Sequence, residues 1–197
     1  MTTDTKLLFF AGSARKDSFN KRLAQLGADI AKANGIGSHF ADLSDYPMPI
    51  YHGDTEASSG PPDNATAFKD LMQRYDGIFI ACPEYNSSIT PLLKNTLDWV
   101  SRVRSEAEAP LEVFKTRIFA IGGSSPGGFG AMRGLIDLRK ILQLGLGAHV
   151  LPQQIAVPRV ANAFDDHGHL EDKSLQELYK SIIQRLAHAA KVLRQET

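Results

Sequence analysis

Hydrophobic positions in the chain fall into short apolar runs that alternate with segments of helical periodicity. The apolar runs lie at residues 6–11, 38–43, 77–82, 117–122 and 148–151. The helical segments lie at residues 18–34, 63–75, 90–102, 129–144 and 174–194. This alternation predicts an α/β fold with a parallel sheet, right-handed crossovers and helices on both faces. Five strands favour the doubly wound order 2-1-3-4-5, whose ligands bind beyond the carboxyl ends of the strands.

We expect residues 1–197 to form a single domain, because no repeat, low-complexity tract or linker divides them. Two stretches lack a clear pattern, residues 44–62 and residues 152–168. Irregular stretches this long are uncommon in compact domains. We therefore expect each of them to be a surface loop or a part of a site or interface.

The first apolar run ends in a small-residue turn that leads directly into the first helical segment. From Gly12 this turn reads G-S-A-R-K-D-S-F-N. The free N–H groups and the positive dipole end of a helix N-terminus favour an anion in such a turn. Ser13 and Ser18 supply hydroxyl groups, and Arg15 supplies a planar guanidinium that matches phosphate oxygens. Asn20 supplies an amide that either caps the turn or holds the ligand.

The composition of this turn narrows the choice of ligand. The turn lacks the three-glycine spacing of dinucleotide-binding folds and the Gly-Lys-Ser/Thr ending of the nucleoside triphosphate loop. Serines with a single arginine suit a terminal monophosphate better than a pyrophosphate or a magnesium-bound triphosphate. An ordinary helix cap beside a solvated arginine is the alternative, and the turn alone leaves both interpretations open.

Two further loops follow the third and fourth apolar runs. The first reads P-E-Y-N-S-S-I-T-P from Pro83, and we expect Thr90 and Pro91 to open the next helix. Its amide, aromatic ring and backbone groups suit the edge of a flat heterocycle, although the Tyr85 ring could instead cover the sheet edge. The second loop, residues 122–130, is rich in glycine, which indicates positive φ angles or close packing. Because the strands are predicted neighbours, we expect all three loops to converge on one crevice.

Overall composition excludes several classes of partner. Lys and Arg total 22 and Asp and Glu total 22, so no basic field favours nucleic acid or an anionic membrane. No apolar run approaches the roughly 20 residues that span a bilayer, and the start of the chain lacks a signal-peptide pattern. The single cysteine, Cys82, excludes an internal disulfide, and the histidines lack metal-site spacing. We expect a cytoplasmic protein without a metal.

Three segments resemble the NADPH-dependent FMN reductase family, the flavodoxin-like flavoenzymes that include quinone, chromate and azo-dye reductases. They read G-S-A-R-K-D-S-F-N-K-R-L-A, P-E-Y-N-S-S-I-T-P-L-L-K-N-T-L-D-W-V-S-R and G-G-S-S-P-G-G-F-G-A-M-R, with a weaker match at A-F-D-D-H-G-H-L. The resemblance implies a flavodoxin-like fold, an FMN cofactor, and NADPH or NADH as co-substrate. The implied cofactor-binding residues are Ser13, Arg15, Ser18, Phe19, Asn20, Pro83, Glu84, Tyr85, Asn86, Gly123 and Ser124.

The resemblance also implies a role for each loop and a reaction. The first loop would hold the FMN phosphate, the second would line the isoalloxazine largely through backbone groups, and the third would lie near the ring or ribityl chain. Hydride would pass from NAD(P)H to the flavin N5, and two electrons would then reduce a quinone or similar small acceptor in a ping-pong cycle. No side chain is identified as a catalytic acid or base. Family members are generally homodimers and sometimes homotetramers.

Three other functions stay open at this point. A non-enzymatic flavodoxin-type electron carrier is disfavoured by the zero net charge and by Arg15. A flavin-free interaction module and a reductase that treats FMN as a diffusing substrate are the others. Ser87 stands where many family members carry an aromatic or basic side chain. We therefore do not assign to Ser87 the substrate contacts that those side chains make in other members. On the following helix, Lys94 and Asp98 predict an i, i+4 ion pair, and Trp99 is expected in the core or in a dimer interface.

Overall fold

Five parallel strands form one sheet in the order β2-β1-β3-β4-β5 in the computed structural model, which describes residues 3–196. The strands are β1 (Thr3–Ala11), β2 (Ile36–Ala41), β3 (Gly77–Ala81), β4 (Ile118–Ser124) and β5 (His149–Val157). The helices are α1 (Phe19–Ala33), α2 (Gly53–Ser59), α3 (Asp63–Gln73), α4 (Pro91–Arg102), α5 (Glu112–Lys115), α6 (Met132–Lys140) and α7 (Lys173–Glu196). The predicted doubly wound order is confirmed.

The pleat of the central strands builds a separate core on each face of the sheet. On β1, Leu7 and Phe9 pack with α1 and α7, whereas Leu8 and Phe10 pack with α3, α4 and α6. Every residue of β3 and β4 is buried, as parallel strands covered on both faces are. No helix within residues 3–196 is both long and apolar enough to cross a membrane.

The start of α4 packs against the first loop. The Gly12 N–H donates to the Ala81 carbonyl at 2.9 Å, and the Thr90 hydroxyl donates to the Gly12 carbonyl at 2.6 Å. The same hydroxyl accepts the Leu93 N–H at 3.2 Å, so Thr90 caps α4 as predicted, with Pro91 as its first residue. A Cβ atom at Gly12 would lie 2.8 Å from the Leu93 Cβ. The close approach of α4 therefore requires glycine at this position.

Several predicted boundaries were wrong. The first strand begins three residues earlier than expected, and the second is shifted by two residues toward the N-terminus. The helix expected over 129–144 begins only at Met132. Gly130 and Ala131 cannot join it because their φ angles are 58° and 69°. A π-helical turn at Ile141–Gly145 follows the helix. The strand expected over 148–151 continues to Val157. Its pairing with β4 jumps from Val150 to Gln154, which leaves Pro152 in an irregular stretch of the edge strand, where a missing N–H is tolerated.

The segment 44–62, predicted to be irregular, contains most of a 3-10 turn at Leu43–Asp45 and the whole of α2. The Pro49 carbonyl accepts hydrogen bonds from Asn95 Nδ2 at 2.9 Å and from Trp99 Nε1 at 2.7 Å. Trp99 is fully buried, so it belongs to the core and fastens this segment to α4. The predicted ion pair between Lys94 and Asp98 is present at 2.7 Å.

Candidate functional site

The loops after β1, β3 and β4 surround one cavity of about 140 Å³ at the carboxyl edge of the sheet. Its walls are Ser13, Arg15, Ser18, Phe19, Asn20, Pro83, Glu84, Tyr85, Ser124, Ser125, Pro126 and Val160. Two predicted site residues, Asn86 and Gly123, do not line it. Val160 was not predicted as a site residue. It follows the end of β5, which was expected at residue 151 but lies at Val157.

The first loop presents a cation and hydroxyl groups at the N-terminus of α1. Ser18 is the helix cap, and its Oγ accepts the Lys21 N–H at 3.4 Å. The Ser13 Oγ accepts the Arg15 N–H at 3.3 Å, which shapes the turn. The Arg15 side chain is exposed and makes no hydrogen bond or ion pair within residues 3–196. The first N–H groups of α1 lack intrahelical partners, so they and Arg15 are available to an anion.

Asn20 joins the first loop to the third loop through a reciprocal pair of hydrogen bonds. Its Nδ2 donates to the Ser124 carbonyl at 3.0 Å, and its Oδ1 accepts the Ser124 N–H at 2.9 Å. Both residues are buried. The amide thus fixes the spacing between α1 and the end of β4, the role of a positioning residue.

The second loop turns tightly at its tip. Tyr85 and Ser88 exchange two backbone hydrogen bonds of 3.0 Å, and the two residues between them, Asn86 and Ser87, have φ angles of 50° and 68°. Positive φ at both central positions is typical of the tightest hairpin turns. The Tyr85 side chain lines the cavity and is 53% exposed.

Glu84 fastens the second loop to the start of α6. Its Oε2 accepts the N–H groups of Arg133 and Gly134 at 3.1 and 3.2 Å, and its Oε1 pairs with the Arg133 guanidinium. The carboxylate is 7% exposed and lies at the positive end of the helix dipole. The pKa of Asp137, on α6, is lowered mainly by a hydrogen bond from Lys140 and next by one from Ser88. Because Ser88 belongs to the second loop, Asp137 gives α6 a second contact with that loop.

Close packing requires glycine at Gly123 and Gly130 in the third loop. Gly122 and Gly123 lie within β4, and a Cβ atom at Gly123 would lie 2.5 Å from the Cys82 carbonyl oxygen. At Gly130 a Cβ atom would lie 2.9 Å from three backbone atoms between Ala156 and Pro158. Gly123 therefore brings β4 close to the second loop without itself reaching the cavity.

Among the described residues, neither the Cys82 thiol nor a metal centre supplies chemistry to the cavity. Burial raises the pKa of the Cys82 thiol to about 12, so the thiolate is not available near neutral pH. Within residues 3–196, no group of three or more His, Cys, Asp or Glu side chains is placed to hold a metal ion.

The donor set of the cavity fits a flavin mononucleotide. Arg15, Ser13 and Ser18 lie together in the cavity wall at the N-terminus of α1, and a cation, hydroxyls and a helix N-terminus are groups that suit a phosphate. The Ser124 Oγ is buried without a hydrogen-bond partner and lies in the cavity wall, where a polyol chain would satisfy it. Tyr85 lines the same cavity with a half-exposed aromatic ring, a group that suits contact with a planar heterocycle.

Comparison with known proteins points to one family. A model of the NADPH-dependent FMN reductase family matches residues 5–162. The chain is 33% identical to a NAD(P)H-dependent FMN reductase of Pseudomonas aeruginosa, covering 94% of this chain and 95% of that protein. It is 32% identical to an NADPH:quinone oxidoreductase of Arabidopsis thaliana, covering 88% and 85% respectively.

Among solved structures, the NAD(P)H:(acceptor) oxidoreductase FerB of Paracoccus denitrificans superposes with a TM-score of 0.77 at 24% identity, covering 95% of this chain and 98% of that one. That likeness supports the flavodoxin-like fold. The family model covers most of the chain, and the relatives align over nearly its full length. The chain therefore belongs to the NADPH-dependent FMN reductase family of flavin-dependent oxidoreductases.

Proposed function

We propose that this protein binds FMN in the cavity between the three loops and transfers reducing equivalents from NAD(P)H to a quinone or a similar small acceptor. The observation that carries the proposal is the juxtaposition of an anion site, a buried unpaired hydroxyl and an exposed aromatic loop in one cavity. The family's established cofactor and reductant agree with it. We also propose that the chain is one domain and acts in the cytoplasm.

FMN, when bound, supplies the redox chemistry by taking up hydride and passing on two electrons. The residues of this chain bind and orient it. Arg15, Ser13 and Ser18 hold the phosphate, and the Ser124 hydroxyl binds the ribityl chain. Pro83, Glu84, Tyr85 and Asn86 support the ring through their backbone, with Glu84 anchoring that backbone to α6. No side chain donates or removes a proton in this scheme.

A ping-pong cycle is proposed because NAD(P)H and the acceptor need the same exposed ring face. Steady-state rates with NADPH and benzoquinone should give parallel lines in double-reciprocal plots. Both NADPH and NADH should be tested as reductants with FMN-loaded protein. Absence of oxidation with either reductant would contradict the proposed activity, and intersecting lines would contradict the cycle alone.

Arg15→Ala is expected to weaken FMN binding by about 1.5–3 kcal/mol, the contribution of a charge-assisted hydrogen bond. Fluorescence titration of apoprotein with FMN measures the change, and riboflavin, which lacks the phosphate, should bind equally to both proteins. The matched control is Lys16→Ala, the neighbouring exposed cation, which does not line the cavity. Unchanged FMN affinity in Arg15→Ala would exclude the first loop from the phosphate site.

Tyr85→Ala is expected to change turnover or acceptor range more than stability. The ring is 53% exposed beside the cavity and buries little apolar surface. Thermal unfolding and rates with several quinones give the two measurements, with Tyr85→Phe as the conservative variant. A large fall in Tm with normal kinetics would assign Tyr85 a packing role instead.

We propose a homodimer or homotetramer. The family to which the chain belongs supports this proposal, because its members are generally homodimers and sometimes homotetramers. Analytical ultracentrifugation of the FMN-loaded protein should give at least twice the 21.5 kDa of one chain. A monomer at micromolar concentration would contradict it.

A further inference from the structure

Two of the twelve residues in the wall of the flavin cavity carry a charge, Arg15 of the first loop and Glu84 of the second. The proposed function assigns Arg15 to the phosphate. Glu84 is then the charged residue on the loop that is proposed to line the ring. Its carboxylate is almost fully buried. Water and salt screen a buried charge much less than an exposed one, so this carboxylate acts strongly on other charges in the cavity.

The charge of Glu84 already acts on a group at the start of the second loop. Burial is the main cause of the raised pKa of the Cys82 thiol, and the negative charge of Glu84 is the next. The Cys82 Sγ donates to the carbonyl oxygen of Pro83, a residue of the cavity wall, at 3.3 Å. A negative charge that develops on a ligand in the cavity is expected to meet the same opposition.

Arg133 and the N-terminus of α6 offset the charge of Glu84 from outside the cavity wall. The Arg133 guanidinium pairs with Glu84 Oε1, and the two N–H groups that open α6 donate to Oε2. Arg133 does not itself line the cavity. A helix N-terminus is equivalent to only about half of one positive charge. Neutralising the carboxylate therefore requires the guanidinium as well.

The Phe129 ring helps to hold this guanidinium. The central carbon of the Arg133 guanidinium lies 5.0 Å from the centre of the Phe129 ring, within the range of an attractive cation–π contact. Phe129 belongs to the third loop and is largely exposed, so burial of the ring does not explain an aromatic residue there. The contact with Arg133 gives it a role. One cation thus connects the second loop, the third loop and α6.

The balance between Glu84 and Arg133 matters because hydride uptake adds one negative charge to a flavin ring, and electron transfer to the acceptor removes it again. A wall with an unpaired carboxylate opposes the added charge, whereas a wall in which the carboxylate is neutralised does not. The pairing of Glu84 therefore changes the affinity of the cavity for reduced flavin relative to oxidised flavin. That relative affinity determines the reduction potential of the bound cofactor.

We propose that Arg133 sets the reduction potential of bound FMN by neutralising the Glu84 carboxylate in the cavity wall, with Phe129 holding the guanidinium in place. This inference rests on the proposed function. Arg133 acts through Glu84, so it is a positioning residue. Its effect is on the equilibrium between oxidised and reduced flavin, and this separates it from a residue that only stabilises the fold.

The test is the midpoint potential of the FMN-loaded protein, measured by anaerobic spectrophotometric titration against a reference dye. Arg133→Gln should lower the equilibrium constant for two-electron reduction about tenfold, a fall of about 30 mV in potential. Arg133→Lys keeps the positive charge and should restore most of the difference. The control is Arg102→Gln, which removes a half-exposed arginine paired with Glu56 outside the cavity lining and should leave the potential unchanged.

A double variant separates charge from anchoring. Glu84→Gln alone leaves the Arg133 charge unopposed and should raise the potential. Glu84→Gln combined with Arg133→Gln removes both charges and also the ion pair. If charge is what matters, the double variant should return to within about threefold of the unaltered protein in the same equilibrium constant. A double variant with a potential as low as that of Arg133→Gln, or an unchanged potential in Arg133→Gln, would overturn the proposal.

For a variant that retains FMN poorly, the Kd values of the apoprotein for oxidised and for reduced FMN give the same quantity, since their ratio fixes the shift in potential from that of free FMN. Failure of the proposed function gives a different result. The unaltered protein would then bind neither form of FMN, whereas failure of this inference alone leaves FMN bound at a potential that does not respond to Arg133.

Discussion

Glu84→Ala is expected to lower the free energy of unfolding by about 2–4 kcal/mol and to weaken FMN binding as well. The substitution leaves the N–H groups of Arg133 and Gly134 without their acceptor at the start of α6. It also removes the ionic partner of Arg133. Because the Arg133 side chain is half exposed and its charge is screened by solvent, the ion pair accounts for the smaller part of the expected loss of stability. The second loop then loses its main anchor to α6.

Chemical denaturation of the apoprotein and FMN titration of the same variant measure the two effects separately. Glu84→Gln keeps a neutral acceptor for the helix N–H groups and is expected to retain about half of the stability difference. Glu56→Ala is the control, because Glu56 pairs with Arg102 far from the cavity lining. If Glu84→Ala and Glu56→Ala were equally stable and bound FMN equally, the anchoring role of Glu84 would be refuted.

Asn20→Ala is expected to cost about 2–4 kcal/mol of stability, because the buried N–H and carbonyl of Ser124 both lose their partner. FMN affinity should fall with it, since Asn20 sets the distance between the first and third loops. The comparison variant is Asn34→Ala at the other end of α1, where the side chain donates to the Ile30 carbonyl at 2.8 Å.

Asn34→Ala is expected to be milder in denaturation experiments, because Asn34 is exposed, and to leave FMN affinity unchanged. Crystallography or hydrogen exchange of Asn20→Ala should report loosened amides at the end of β4 and the start of α1. A variant with lowered stability but normal FMN affinity would show that the two loops keep their spacing without this amide.

The order of strands and the convergence of three loops could be predicted because both follow from local patterns. Apolar runs, helix caps such as Thr90 and the small-residue turn after β1 are properties of neighbouring residues. The partners of Asn20 and Glu84 could not be predicted in this way. Ser124 is 104 residues from Asn20, and Arg133 is 49 residues from Glu84. The Asn20 amide, expected either to cap the turn or to hold the ligand, binds the Ser124 backbone, and the Glu84 carboxylate binds the start of α6.

Backbone conformation accounts for the boundaries that the sequence placed wrongly. Ala131 adopts a positive φ angle that its residue type does not signal, so the start of α6 came later than its periodicity indicated. The fifth strand was expected to end at residue 151, but an edge strand tolerates a proline, and the sheet continues past Pro152. The glycine-rich loop indicated positive φ angles or close packing, and Gly123 is a case of close packing, against the Cys82 carbonyl oxygen.

The central claim is that the cavity between the three loops holds FMN that NADPH reduces. The most direct test is the visible absorption spectrum of purified protein, supplied with FMN and desalted, before and after anaerobic addition of NADPH. Flavin bands that remain with the protein and bleach on addition are the predicted result. A protein that retains no flavin, or bound flavin that neither NADPH nor NADH bleaches, would contradict the account.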